Sequence, residues 1–277
     1  LNMLRTGYSS VIKESQDFTF AIFDGIGCMV TQGLPQPLHI GGISAQVGEV
    51  IRVFGDDMVE NDVFVLNHPY FACQNHATDV TVVSPVFDRG ERVAFIANTA
   101  HKPDLGGKVP GTNSPDATDV IQEGLLLPAL RLYRGGEVNE DLKTVVMANT
   151  RTPEITWGDI QAQAQTNFYG LRKLADLMQQ YGSNEVTACW REWMDICEGE
   201  VRKAIEKFTK AGLEIGICGQ APSDHPDSFP PFLIDCGITS ISVTPDTAIK
   251  VRMAVQSAEM ALDAGYDGMD IVIEAEE

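Results

Sequence analysis

Two apolar runs, separated by a short polar stretch, constrain this chain most. Val80-Thr81-Val82-Val83 alternates β-branched residues and reads as a strand, and Val93-Ala94-Phe95-Ile96-Ala97-Asn98 reads as the next one. Side chains alternate across a strand, so residues at the matching ends of neighbouring strands meet at one end of a sheet. His76 and Asp79 stand just ahead of the first run, and His101 closes the second. The expectation is a hairpin that carries His76, Asp79 and His101 to one sheet end. Imidazole nitrogen and carboxylate oxygen suit borderline divalent cations, so these three residues are read as ligands of a divalent metal, Zn²⁺ or Mn²⁺. Strand-end residues that merely cap or turn the chain are the competing reading.

Pro103 to Gly111 follows at once, a glycine-rich segment in which backbone can approach a ligand closely. Asp104, Gly106 and Gly107 are accordingly read as substrate-binding. Upstream, Asp17 to Asp24 and Cys28 to Val30 flank Gly25-Ile26-Gly27 and read as a hairpin. Leu38-His39-Ile40-Gly41-Gly42 leads into an amphipathic segment from Ser44 to Phe54, with Val47, Val50, Ile51 and Phe54 at helical spacing. His39 is read as lining a substrate pocket, against the plainer alternative of a structural His ahead of a helix. Asp62 to Leu66 is expected to be a buried strand. Thr152-Pro153 opens a long helical pattern, Gly182 to Glu185 stops it, and a second helix runs from about Val186 to Thr209.

The motifs His76-Ala77-Thr78-Asp79-Val80-Thr81-Val82-Val83-Ser84-Pro85, Ala100-His101-Lys102-Pro103-Asp104-Leu105-Gly106-Gly107 and Gln122-Glu123-Gly124-Leu125 resemble the hydantoinase B/oxoprolinase family over about residues 4–207. That family includes subunits of ATP-dependent lactam hydrolases and of acetone and acetophenone carboxylases. The resemblance implies an α+β fold, a mixed sheet-based domain with long helices, and residues missing ahead of Leu1. It implies that Asp17 joins the metal site and that Glu123 faces the active cleft as an acid/base or substrate-orienting residue. It also implies a hetero-oligomer in which a hydantoinase A-like partner subunit binds ATP and phosphorylates the carbonyl oxygen of a small-molecule substrate. The chain carries no GxxxxGK[ST] phosphate loop of its own. The expected activity is hydrolysis of a lactam or cyclic imide. Ketone carboxylation is the alternative, since both chemistries stabilise an oxyanion beside a Lewis acid.

From about Phe208 the character changes. Leu213 to Pro226 and Cys236 to Thr247 resemble the final barrel strands of phosphoenolpyruvate synthase, in which the position matching Cys218 is a catalytic acid/base. Residues 208–277 are therefore set apart as a short α/β segment, with a pyruvate-type phosphotransferase fragment as a further alternative. A closed barrel needs roughly 200 residues or more, and this segment is far shorter.

Composition narrows the partners. Twenty basic against 39 acidic residues give a net charge of −19, which repels phosphate backbones and anionic lipid, so neither nucleic acid nor membrane is expected. No apolar run reaches bilayer-spanning length and no cleavable leader is evident. Six cysteines, at 28, 73, 189, 197, 218 and 236, show no CxxC spacing, which fits reduced thiols in a cytoplasmic protein. Cys189 and Cys197 are expected to pack. Cys73 is read as a packing residue, with a fourth metal ligand as its alternative.

Overall fold

The β-branched runs become the two longest strands of the protein, β4 (Asp79–Asp88) and β5 (Glu91–His101). They pair antiparallel from Asp79↔His101 to Asp88↔Glu91. The two-residue turn Arg89-Gly90 has φ of 52° and 87°, the positive values that match a hairpin's turn to the right-handed twist of its strands. This computed structural model describes all residues except 1, 34–38, 73, 113, 218–220, 244, 246 and 264–277.

The hairpin is the centre of a seven-stranded sheet. β1 (Phe18–Asp24) lies beside β5, and β2 (Met29–Gln32) lies outside β1. On the other side β3 (Val63–Leu66) pairs with β4, followed by β6 (Leu130–Arg134) and β7 (Glu137–Val138), giving the order β2-β1-β5-β4-β3-β6-β7. Every pairing in it is antiparallel. The α+β class stands, but the large sheet is not mixed. Three of its neighbouring pairs are simple hairpins, which can only be antiparallel.

Both faces of the sheet are covered. Alternation sends Phe23, Phe64, Leu66, Val83, Phe95 and Ala97 to one face, where Ile43, Val47 and Val50 of α3 (Ile40–Phe54) close over them. The opposite face presents Val63, Val65, Val80 and Val82 to Leu142 and Val146 of α5 (Glu140–Ala148), and to Trp157, Ile160 and Ala164 of α6 (Pro153–Tyr181). Further along α6, Leu174 and Met178 meet Val86, Ala94 and Ile96. Each such side chain withdrawn from water contributes ~1.5–3 kcal/mol.

Buried amides fix the helices on the sheet. Asn167 of α6 donates to the carbonyls of Val82 and Ile96 and to the Ser84 hydroxyl, at 3.1–3.2 Å, and accepts from the Asn98 amide at 2.7 Å. One turn earlier, Gln163 donates to the Val80 carbonyl at 2.8 Å. On the other face Gln46 of α3 accepts from Thr81, which also bonds Thr99 at 2.7 Å.

The chain forms two compact units, Leu1–Arg191 and Glu192–Glu277, and the division falls inside α7 (Ser183–Lys210); the sequence reading divided it at 207/208. The second unit holds β8 (Gly216–Ile217) and β9 (Ser240–Ile241), a parallel pair, with α8 (Ala221–Asp224), α9 (Phe229–Asp235) and α10 (Ala248–Asp263). The order strand, helix, strand, helix is the expected α/β one. Two strands of two residues each make no barrel wall, however, and the expected barrel ending is not shown. Cys218 and Cys73 lie outside the described residues. Cys189 and Cys197 are exposed, not packed, because both sit on the solvent side of α7. Among the described residues, no helix is long and apolar enough to cross a membrane.

The amide seam gives a stability prediction. Asn167→Leu keeps the branched shape but takes from the Asn98 amide one of its two acceptors, the other being the Gln163 carbonyl, and removes the buried donor to the Ser84 hydroxyl. Urea denaturation should show a loss of about 1–3 kcal/mol; an unchanged midpoint would mean that the seam adds nothing beyond apolar packing.

Candidate metal centre

The β4–β5 register makes the site. Asp79 and His101 are directly opposite one another and so share a face of the sheet. His76 lies one turn ahead of β4, its carbonyl accepting the Asp79 N–H at 3.2 Å. His76 Nε2 is 2.9 Å and His101 Nδ1 3.0 Å from the same oxygen, Asp79 Oδ1. The two imidazole rings stand 4.9 Å apart between centroids. One potential donor atom from each of the three residues lies within 4.8 Å of the others. Asp79 is fully buried, whereas the His76 side chain is 36% exposed, so the cluster opens to solvent past His76.

Asp17 and His39 adjoin it, while the converging donor atoms come from His76, Asp79 and His101. His101 N–H donates to the Asp17 carbonyl at 3.0 Å, continuing the β1–β5 ladder. His39, just ahead of α3, places Nε2 2.9 Å from Asp17 Oδ1 and Nδ1 3.4 Å from Asp79 Oδ2. This differs from the expected pocket-lining role. The His39 ring is buried between two carboxylates, because α3 packs across the sheet face that carries them.

Burial alone would raise the Asp79 pKa, but hydrogen bonds from His101, His39 and His76 hold the carboxyl well below its usual range. Burial would lower the His39 pKa, and hydrogen bonds to Asp79 and Asp17 outweigh it, so the imidazole is raised. The hydrogen bond to Asp79 raises His76 against the opposing effect of burial. One buried anion thus gathers three imidazoles, an arrangement that favours a positive charge in their midst.

The residues fit a divalent cation. Asp79 Oδ2 and His39 Nδ1 are buried and have only each other, in a long contact of 3.4 Å, although buried polar atoms ordinarily find a well-placed partner. Donors about 2.1 Å from a common ion stand roughly 3–3.4 Å apart, close to the separations between Asp79 Oδ1 and its two histidines. Two imidazoles and a carboxylate belong to the zinc, manganese and iron class of donor sets.

The other candidates fall in two groups. Glu123 ends a short 3₁₀ turn, Val120–Glu123, and lines a cavity of about 280 Å³ together with His76, Ser114 and Pro115. A larger cavity of about 650 Å³, walled by Phe20, Ile22, Ile96, Leu174 and Leu177, is mainly apolar and contains none of the candidate ligands. Chemistry, not size, marks the site. Asp104, Gly106 and Gly107, expected to bind substrate, instead hold their own loop together. Asp104 is buried and accepts the backbone N–H groups of Gly106, Gly111 and Arg151 and the Arg151 guanidinium, at 2.9–3.0 Å. Those bonds outweigh burial and keep its carboxyl below the usual range. Gly106 and Gly107 have φ of +84° and +80°, and a Cβ on either would collide with backbone, at Asn149 and at the Gln122–Gly124 turn respectively.

Lys102 was not singled out in the sequence. It is fully buried, its ammonium donating to the Ala100 carbonyl at 2.9 Å. Burial pushes its pKa down to about 8 against the pull of Asp159, Asp79 and Asp17. The signal was present in the alternation: the residue after His101 must point to the opposite, covered face.

With this geometry in place, comparison with known proteins is informative. The sequence matches the family described as Hydantoinase B/oxoprolinase over residues 1–266. The match thus runs through residues 208–266, which the sequence reading set apart, and the resemblance to phosphoenolpyruvate synthase is not shown. Caprolactamase subunit beta of Pseudomonas jessenii is 33% identical over 250 residues, covering 90% of this chain and 41% of that protein. The crystal structure of the ATP-dependent caprolactamase from the same organism superposes with a TM-score of 0.70 at 32% identity, over 74% of this chain and 35% of that one. 5-Oxoprolinase 1 of Arabidopsis thaliana is 30% identical over 81% of this chain and 18% of its own length. Nucleotide-free acetone carboxylase, with a TM-score of 0.63 over 68% of this chain and 24% of that one, is 15% identical and shares the fold alone. The chain therefore spans less than half the length of the relatives it matches. It belongs to the hydantoinase B/oxoprolinase family.

Proposed function

We propose that this chain is the metal-bearing part of an ATP-dependent hydrolase of lactams or cyclic imides. The observation that carries the reading is the convergence of His76, Asp79 and His101 on one carboxylate oxygen beside a cavity that also contains Glu123. The kinship with caprolactamase and 5-oxoprolinase supports the substrate class. His76, Asp79 and His101 would hold Zn²⁺ or Mn²⁺, with Asp17 completing the set through its contact to His39. When bound, the cation supplies a Lewis acid that polarises an oxygen atom in the cleft.

The chain's own residues do the rest. His39 holds Asp79 and Asp17 in register, as outer hydrogen bonds commonly do around metal ligands. Glu123 faces His76 across the small cavity. Hydrolysis forms a C–O bond from water and breaks the ring C–N bond, so one proton must leave water and one must reach nitrogen. A carboxylate on the cavity wall can take the first and return it to the nitrogen. ATP would be bound by a hydantoinase A-like partner in a hetero-oligomer, where the carbonyl oxygen is phosphorylated; once the C–N bond has broken, a second water would hydrolyse the acyl phosphate to carboxylate and inorganic phosphate. Ketone carboxylation has only the fold likeness to acetone carboxylase behind it.

Two measurements test this. Metal analysis of the purified protein should find about one divalent ion per chain, and His101→Ala should lose it, with turnover falling at least roughly a hundredfold, the scale of removing one electrostatic stabiliser. The melting temperature should shift only by the equivalent of about 1 kcal/mol, one lost hydrogen bond. Full metal occupancy and normal turnover in His101→Ala would exclude the site.

The substrate class is read by incubating the complex assembled with its partner with ATP and either a lactam series or ketones plus labelled bicarbonate. Ring opening with ATP consumption is expected. Incorporation of label into a ketone, without lactam turnover, would replace the hydrolase reading by the carboxylase one.

A further inference from the structure

Arg151, at the junction of α5 and α6, was not among the candidate residues, yet all five of its hydrogen bonds go to one short loop. Its guanidinium donates to Asp104 Oδ2 at 3.0 Å, and to the carbonyls of Gly106, Val109 and Gly107 at 3.0, 3.1 and 2.7 Å. Its backbone N–H donates to Asp104 Oδ1 at 2.9 Å. The planar fork of a guanidinium suits such convergent acceptors, which the single ammonium of a lysine cannot all reach. The side chain is 40% exposed, while Asp104 beneath it is almost wholly buried. A pair so placed adds little to global stability. It does fix the conformation of the 104–111 loop.

That loop is the bed of the turn carrying Glu123. Lys108 N–H donates to the Gln122 carbonyl and Leu125 N–H to the Leu105 carbonyl, each at 2.8 Å. Gly107 and Gly124, both at positive φ, let the two backbones approach more closely than any side chain would allow. Glu123 lies between those two hydrogen bonds and reaches the cavity shared with His76. Arg151 is not among the residues lining that cavity.

The geometry points to Arg151 as a positioning residue: by clamping the 104–111 loop it holds the 120–124 turn, and so keeps the Glu123 carboxylate facing His76. This inference rests on the role proposed above for Glu123. It explains why a half-exposed arginine is given four acceptors on one short loop, three of them backbone carbonyls.

The test compares Arg151→Ala, Arg151→Lys, Glu123→Gln and the double variant Arg151→Ala/Glu123→Gln in the metal-loaded protein assembled with its partner. Hydrogen exchange at Gly106, Lys108, Gly111 and Leu125 should speed at least tenfold in Arg151→Ala, while exchange in β4 and β5 and the metal content stay at parental values. Against a lactam substrate, Arg151→Ala should lower kcat with little change in KM. Added guanidinium should restore part of it, and the double variant should be no slower than Glu123→Gln alone, as for two residues acting through one group. Unchanged exchange would overturn the clamp. Losses that multiply in the double variant would overturn action through Glu123. Should the parent turn over no lactam, the hydrolase reading fails, and the exchange rates still decide whether Arg151 holds the turn.

Discussion

The register between β4 and β5 is the constraint on which the rest depends. With Asp79 opposite His101, one face receives Asp79, Thr81, Thr99 and His101, and the other receives Val80, Val82, Asn98 and Ala100. A slip of one residue would exchange the faces. It would set the histidine and the carboxylate on opposite sides and bury polar groups against the apolar side of α6. The register is guarded twice over, because each face carries a polar seam that matches only its own helix. Thr81 and Thr99 meet Gln46 of α3, and Asn98 meets Asn167 of α6. Apolar side chains tolerate small displacements, whereas a buried amide that loses its acceptor leaves an uncompensated polar group costing ~1–3 kcal/mol. The amides therefore specify position while the aliphatic core supplies most of the driving force.

On this frame the structure buries charge. Removing the Asp79 carboxylate from water is costly by itself, and its three imidazole partners share in offsetting that cost. They come from three separate parts of the chain: the turn before β4, the end of β5 and the start of α3. The ligand cluster is thus also a junction of elements. Across the sheet from it, Lys102 is buried near Asp159, and Asp159 in turn accepts the backbone N–H groups of Tyr8 and Ser9 at 2.7 and 3.1 Å. Charges of both signs lie at the same end of the sheet, one set on each face, and each is compensated locally.

How much of this could be read beforehand follows from the physics of each signal. His76, Asp79 and His101 were legible because strand alternation is a local rule, and a hairpin converts it directly into a meeting of strand ends. His39 was visible as a residue but not in its place, since only the packing of α3 across the sheet sets it between two carboxylates. Gly106 and Gly107 were legible as permissive backbone, but not the second loop packed against them. Positive φ serves a ligand and a tightly packed second loop equally well, and the partners here, Asn149 and Gln122, are distant or on another turn. β6, β7 and α5 were left unassigned, although Gly135-Gly136, at φ of 57° and 92° between short β-forming runs, is a two-residue hairpin signal. The segment after residue 207 misled for a different reason. Glycine- and proline-rich strand–helix alternation recurs in unrelated proteins, and motif likeness over so few residues carries little topological information.

The site is consequently held by two kinds of support. Asp79 and His101 inherit their precision from two paired strands at the centre of the sheet, and His76 from the turn bonded to Asp79. Glu123 stands on a turn that the 104–111 loop supports through backbone hydrogen bonds and glycine close approach, much of it near the surface. Local opening of such a segment needs far less free energy than global unfolding. The His76 side and the Glu123 side of one small cavity therefore rest on different supports, a strand register on one side and a loop bonded to Asp104 and Arg151 on the other.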